Sequence, residues 1–407
     1  MTNTPFDFTE FRRHFPALNQ DAAQTLCYLD SAATALTPQT VIDATVNYYQ
    51  NAGATVHRSQ HKAAQSLTLA YEQARQQVAD FIHAPRVEDI VWTRGTTESI
   101  NLVAQSYLRP RLQPGDEIIV SQAEHHANLV PWLMLAAQCQ AKVVTLPLNA
   151  DFLPDISALP ALLNSRTRLL AIGQMSNVTG GQPDLATAIA LCHANGTPVM
   201  VDGAQGVVHG ETDVQALDAD FYAFSGHKLY GPTGIGVLYG KSERLESMQP
   251  WHGGGKMLTH TDMQRFTPQQ APHRFEAGTP NIAGVLGLGS AVQWLSTLDR
   301  IAAERYSAQL ADNAEKALSA VPGFRSFRRS GSSLLAFDIA GVHHSDIIAL
   351  LAEKGVALRA GQHCAQPLTE ALGVSGSLRA SFAPYNTQQD VERLVDGVQF
   401  ALELLAD

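Results

Sequence analysis

The sequence predicts an α/β chain built on a mostly parallel sheet, followed by a smaller α+β unit. From about residue 88 to 240, short β-branched runs alternate with longer helical patterns, and polar, glycine-containing clusters follow the runs. After residue 284 the pattern changes, and a long helical stretch leads into a shorter set of strands and helices. At 407 residues the chain exceeds one ordinary core. We expect a large domain over 23–285 and a small one over 286–407, with residues 1–22 packing back on the small domain.

Taken in order, 89–92 reads as a strand, 98–107 as a helix, 117–121 as a strand and 129–139 as a helix. Runs 142–146, 168–173 and 198–202 follow as strands, with helices between them, and 220–225 is another apolar strand-like run. Such an order gives a sheet covered on both faces, whose ligands bind beyond the carboxyl ends of the strands. The stretch 250–285 is irregular, rich in Gly and Pro and too polar for a core, so it reads as a lid or interface loop. A helical stretch from Gly284 to about Ala320 comes next, then a strand at 333–338, a helix at 346–354 and strands at 356–359 and 378–382. The last helix opens at Thr387, with Asp390 three residues on as a capping partner.

Composition narrows the function classes. Hydrophobic residues are 45% and charged residues 16%, enough for a sizeable core and against disorder. A net charge of −10 speaks against a nucleic-acid or anionic-membrane partner. No apolar run approaches the ~20 residues that span a bilayer, and the first residues lack the basic and apolar regions of a signal peptide. Cys27, Cys139, Cys192 and Cys364 show no Cys-x-x-Cys spacing, so neither a zinc site nor a disulfide framework is implied. The expectation is a soluble enzyme of a reducing, cytoplasmic compartment with no metal site.

The chemistry-bearing residues fall at strand ends. Lys228 closes the segment Ser225-Gly-His227-Lys228. A lysine there either snorkels to water or uses its amine, because burying an unpaired ammonium is costly. Asp202 and Gln205 close the run before it. An acid and a lysine on neighbouring strand ends suit pyridoxal 5'-phosphate, the lysine forming the Schiff base and the acid keeping the pyridine nitrogen protonated. Thr96 and Thr97 lie between a strand and a helix, where free N–H groups and the helix dipole can cradle a phosphate; the plainer reading is a threonine N-cap. Ser225 and His227 at a neighbouring strand end favour the phosphate.

His125 follows another strand and is suited to stack on a cofactor ring and move a proton, since histidine titrates near neutrality. His126 reads as structural, and the pair His343-His344 has no chemical company. Asn177 can hydrogen-bond a ring oxygen, although strand-end asparagines often only form turns. In the C-terminal part, Cys364 lies beside His363 and near Arg359, and positive neighbours favour a thiolate. A lone cysteine can equally be an inert small residue. Arg379 can clamp a substrate carboxylate bidentately or be a surface arginine.

Together these segments resemble the fold-type I pyridoxal-phosphate enzymes, and specifically the class II cysteine desulfurases of the SufS and cysteine sulfinate desulfinase branch. The segments are Tyr28-Leu-Asp-Ser-Ala-Ala-Thr34, Val56-His-Arg58, Arg94-Gly-Thr-Thr-Glu-Ser99, Glu124-His-His-Ala-Asn128 and Asp202-Gly-Ala-Gln205. Further along come Ser225-Gly-His-Lys228, Glu276-Ala-Gly-Thr-Pro-Asn281 and Arg359-Ala-Gly-Gln-His-Cys364. They span essentially the whole chain, and the last is the most specific.

The resemblance implies the fold-type I transferase architecture, a mostly parallel seven-stranded sheet in a large domain plus a smaller α+β domain. By the same resemblance Lys228 carries the cofactor, Asp202 pairs with its ring nitrogen, Gln205 or Asn177 holds its ring oxygen and His125 stacks on it. Thr96, Thr97, Ser225 and His227 bind its phosphate, joined by Thr279 from the partner subunit of a homodimer. Arg379, with Arg359 and Asn177 near it, receives the substrate, and Cys364 accepts sulfur as a persulfide. The implied substrates are L-cysteine, L-cysteine sulfinate and L-selenocysteine, and a SufE-like protein takes the sulfur. Two other readings stand beside this one. A kynureninase-like hydrolase or aminotransferase of the same fold would not need Cys364, and intact Lys228 and Asp202 count against a non-catalytic scaffold.

Overall fold

Alternate residues of the central strands belong to two different hydrophobic cores, which is why those strands are apolar throughout. In the computed structural model, which describes residues 6–19 and 26–406, every residue of 221–225 is buried. Tyr222 and Phe224 face one core, while Phe221 and Ala223 face the other. The strands are β1 (Cys27–Tyr28), β2 (Ile90–Thr93), β3 (Glu117–Ser121), β4 (Lys142–Leu146), β5 (Thr167–Gly173), β6 (Val199–Asp202), β7 (Phe221–Ser225) and β8 (Gly236–Gly240). Seven of them form one sheet in the order β2-β8-β7-β6-β5-β3-β4. Only β8 runs against its neighbours, pairing antiparallel with both β2 and β7. The expected mostly parallel, seven-stranded sheet is what the chain forms. The helices Lys62–Phe81, Leu185–Ala194 and Ile282–Leu295 cover one face, and Thr96–Leu102 and Val130–Cys139 cover the other.

An exposed hairpin of β9 (Leu258–Thr261) and β10 (Phe266–Pro268) follows. The smaller sheet then assembles from β11 (Phe324–Ser326), β12 (Leu334–Ile339), β14 (Arg359–Gly361) and β15 (Ser377–Ser381), in the antiparallel order β11-β12-β15-β14. The short β13 (Val356–Ala357) pairs parallel with β1 instead. The last helix, Gln388–Leu405, starts at Thr387 with the reciprocal Thr387–Asp390 capping box that the sequence signals.

Several expectations change in detail. The helical stretch from Gly284 is two helices, Ile282–Leu295 and Arg300–Leu318, because Asp299 caps the second through the Ala302 N–H. The strand expected at 356–359 splits between β13 and β14. The break expected at 285/286 falls inside the helix Ile282–Leu295, whose Val285, Leu288, Val292 and Leu295 pack in the core of the large sheet. Conversely Cys27 of β1 and Leu29 just after it, expected in the large domain, enter the core of the smaller sheet. Part of the segment 1–22 lies outside the described residues. In the described part, Phe11 and Phe15 wedge between Tyr230 and Trp294 on one side and Tyr385 on the other, while Phe6 and Phe8 meet Tyr306. That segment therefore straddles the two units rather than lying on the small one alone. Among the described residues no helix is long and apolar enough to cross a membrane.

The stretch 250–285 is anchored by a buried ion pair. Arg75, 1% exposed, donates from Nη1 and Nη2 to the two carboxyl oxygens of Glu276 (2.6 and 3.0 Å) and from Nε to Glu72 (2.8 Å). Glu276 also accepts the Trp92 N–H (2.9 Å), so the loop is tied to both a helix and the edge strand β2. Arg75→Met leaves Glu276 buried without its cation, and the expected loss is about 3–5 kcal/mol of stability, read from denaturant midpoints.

Candidate active site

Beyond the carboxyl ends of β3, β5, β6 and β7, and under residues of the smaller sheet, lies a cavity of about 260 Å³. Every candidate residue except Thr279 lines it: Thr96, Thr97, His125, Asn177, Asp202, Gln205, Ser225, His227, Lys228, Arg359, Cys364 and Arg379. Thr279 is exposed, three residues after the anchored Glu276.

Lys228 ends the tight turn that follows β7, and burial pulls its amine below the usual lysine range, with Arg379 and Arg359 pulling the same way and Asp202 opposing. Asp202, at the end of β6, is pushed up by burial and accepts one hydrogen bond, from the Ala204 N–H (2.9 Å). Beside β7, the Thr96 N–H and hydroxyl both meet Ser225 Oγ (2.9 and 2.7 Å) at the start of the helix Thr96–Leu102. A side chain at Gly95 would come within 3.3 Å of that same hydroxyl oxygen, so glycine keeps the turn open. Thr97 is exposed and His227 half-buried, its imidazole lowered by burial and by Lys228. One N–H of each side-chain amide is taken, Gln205 by the Ala32 carbonyl (2.8 Å) and Asn177 by the His363 carbonyl (2.8 Å); each retains a second.

Two histidines differ from the sequence reading. Burial first, then the charges of Lys228, His126 and Arg379, lower His125 to about 4, so its ring is neutral at pH 7 rather than half-protonated. Its Nδ1 accepts the Ala127 N–H (3.0 Å), which leaves the ring proton on Nε2. His363 is lowered to about 3 by burial and by Arg379, and its Nε2 meets Ser377 Oγ (2.9 Å). It therefore brings no positive charge to Cys364; the cations on this side are Arg359 and Arg379.

Cys364 is the exposed cysteine of the four. The thiols of Cys27 and Cys192 are instead buried and pushed up in pKa. His363 and Cys364 both take left-handed backbone angles (φ 52° and 55°), a strain of about 1 kcal/mol or more each. The turn is held by Asn177 on the His363 carbonyl and by the His126 N–H on the Cys364 carbonyl (2.7 Å). His126 Nε2 also accepts the Gln366 N–H (3.3 Å), the structural role expected of it. Arg379 is no surface residue: it is 2% exposed and donates from Nη1 to the Asn177 carbonyl (2.7 Å).

The sequence reading assigned no role to Asp30 or Glu124. Asp30 contacts both arginines, Arg359 Nη2 at 3.2 Å and Arg379 Nη2 at 3.5 Å. Glu124 accepts the Gly173 N–H (2.8 Å) and the Asn128 amide (2.7 Å), and a side chain at Gly173 would crowd its carboxyl at 3.3 Å. Burial and the neighbouring Asp202 raise Glu124 from 4.5 to about 8 against those hydrogen bonds. Between those two values the folded chain keeps a proton that the unfolded chain releases, so folding stability falls as pH rises through that window. Glu124→Gln removes that slope: relative to wild type it gains stability on going from pH 5 to pH 8, read from denaturant midpoints at both.

Comparison with known proteins places this geometry. The aminotransferase class-V family model matches residues 27–394. The chain is 65% identical to the Escherichia coli (strain K12) cysteine desulfurase CsdA over 402 residues, 99% of each chain. It is 48% identical to a probable cysteine desulfurase of Vibrio cholerae, covering 97% of this chain and 98% of that one. A crystal structure of Escherichia coli CsdA (S-sulfonic acid) superposes with a TM-score of 0.93 at 64% identity, covering 98% of this chain and 100% of that one. The apo cysteine desulfurase from Thermococcus onnurineus NA1 superposes at 0.91 with 33% identity, covering 97% and 98%. The chain therefore belongs to the aminotransferase class-V family of fold-type I pyridoxal-phosphate enzymes, within which it is a cysteine desulfurase.

Proposed function

We propose that Lys228, Asp202, Cys364 and Arg379 divide the desulfurase reaction between them, and that the enzyme also accepts L-cysteine sulfinate and L-selenocysteine. The observation that carries this reading is the position of Cys364 on the cavity that Lys228 and Asp202 also line. The residues present suit the cofactor. Asp202 is a buried carboxyl with a single hydrogen bond among the described residues, a natural counter-charge for a protonated ring nitrogen. Thr96, Thr97, Ser225 and His227 would hold the phosphate at the start of a helix, Gln205 or Asn177 the ring oxygen, and His125 a ring face. When bound, pyridoxal phosphate supplies the electron sink that makes proton loss at the substrate α-carbon accessible.

The remaining work belongs to the protein. Arg379, unable to deprotonate near neutral pH even with burial lowering it to about 10, binds the substrate carboxylate, with Arg359 beside it. Lys228, whose charged form is disfavoured by burial, takes the α-proton. The Cys364 thiolate attacks the substrate sulfur: an S–S bond forms, the Cβ–S bond breaks, and the three-carbon residue leaves as alanine after reprotonation. His125, neutral and with its proton on Nε2, acts as a stacking partner and hydrogen-bond donor rather than as a near-neutral buffer.

In this reading a SufE-like acceptor takes the persulfide sulfur from exposed Cys364, and Thr279 completes the phosphate site of the partner subunit in a homodimer. Four free cysteines suit a reducing cytoplasm.

The test is alanine release by wild type and Cys364→Ala, each given L-cysteine and L-cysteine sulfinate. Cys364→Ala is expected to lose about 100-fold or more with L-cysteine and to change little with the sulfinate, whose sulfur can leave as sulfite without a protein nucleophile. Equal rates of both proteins on both substrates would reduce Cys364 to a bystander. Lys228→Ala is expected to lose about 10²–10⁴-fold in turnover together with the wild-type cofactor absorption band. Turnover with an unchanged band would remove Lys228 from its role.

A further inference from the structure

Arg359 and Arg379 sit directly opposite each other across the antiparallel pair β14–β15. Like charges in that register repel, and the group placed to offset them is Asp30. Its two carboxyl oxygens are split between the guanidinium groups, Oδ2 at 3.2 Å from Arg359 Nη2 and Oδ1 at 3.5 Å from Arg379 Nη2. Neither contact is bidentate. Asp30 Oδ1 and Arg379 Nε are both buried and without a hydrogen-bond partner among the described residues. Both arginines line the cavity, but Asp30 does not, so it meets the substrate only through them. Its backbone is fixed independently of its carboxylate: Leu29 O accepts the Ser381 N–H (2.8 Å), and the Ala32 N–H donates to Ser381 Oγ (2.9 Å).

We propose that Asp30 is a positioning residue that sets the net charge of the substrate-anion site. Two guanidinium groups and one carboxylate leave a single positive charge, matched to a substrate whose only anion is its α-carboxylate. A substrate with a second anion on its side chain, such as L-cysteine sulfinate, meets Asp30 as a repulsive neighbour and competes with it for Arg359. Asp30 thereby tilts the enzyme toward L-cysteine. Lys228 and Cys364 also interact electrostatically with these arginines, and both substrates meet them alike. This inference rests on Arg379 as the carboxylate site proposed above.

The experiment measures kcat and KM for L-cysteine and L-cysteine sulfinate in wild type, Asp30→Asn, Asp30→Glu and Arg379→Gln, with thermal unfolding of each. Asp30→Asn is expected to raise the ratio of kcat/KM for the sulfinate over that for cysteine by about tenfold, the effect of removing one charge a few ångströms from the binding group. The change should come through a larger fall in KM for the sulfinate than for cysteine, and Asp30→Glu should return the ratio toward wild type. A merely structural role would lower both kcat/KM values together and leave the ratio unmoved. An unmoved ratio beside a raised KM in Arg379→Gln overturns the Asp30 inference alone. An unchanged KM for both substrates in Arg379→Gln overturns the carboxylate assignment and this inference with it. If Asp30→Asn does not fold, Arg359→Gln serves instead: removing one positive charge while Asp30 remains must lower the ratio, and a rise or no change overturns the proposal.

Discussion

The buried guanidinium of Arg379 joins the smaller sheet to the larger one. Its hydrogen bond to the Asn177 carbonyl links β15 to the loop after β5, two segments about 200 residues apart in the chain. Asn177 in turn donates to the His363 carbonyl, and the next residue, Cys364, is held by the His126 N–H. The cysteine, the arginine and the strand ends of the main sheet thus share one continuous hydrogen-bonded path. That path maintains two successive left-handed residues in a turn that would otherwise relax.

Charge in the cavity is settled by the same closeness. Burial lowers the basicity of Lys228, His125 and His363 and raises the pKa of Asp202 and Glu124. Each shift moves its group toward the uncharged form, as expected where unpaired charge is expensive. Arginine resists that pressure best, which suits Arg379 to a buried anion site. Asp30 and Glu124 touch neither the lysine nor the thiol, yet one balances the arginines and the other fastens the His125 loop to the end of β5.

Away from the cavity, the Arg75–Glu276 pair has a comparable organising role. It is fully desolvated and closed by further hydrogen bonds from Trp92 and to Glu72, the condition under which a buried pair holds a loop in one place. The loop so held carries Thr279 at an exposed position.

The sequence alone determined the apolar main strands, the helices between them and the placing of Lys228 and Asp202 on neighbouring strand ends. These features are local: strand residues alternate faces by geometry, and β6 and β7 are consecutive neighbours whose ends fall side by side. The Thr387–Asp390 cap was legible for the same reason. The domain boundary, the neutral state of His125 and His363 and the meeting of Asp30 with Arg359 and Arg379 were decided only by tertiary structure. Asp30 reaches the arginines because the chain start adds β1 to β13, a pairing across more than 300 residues that no local pattern encodes. Protonation likewise depends on how much water and how many neighbouring charges remain once the two sheets close, and only packing fixes those.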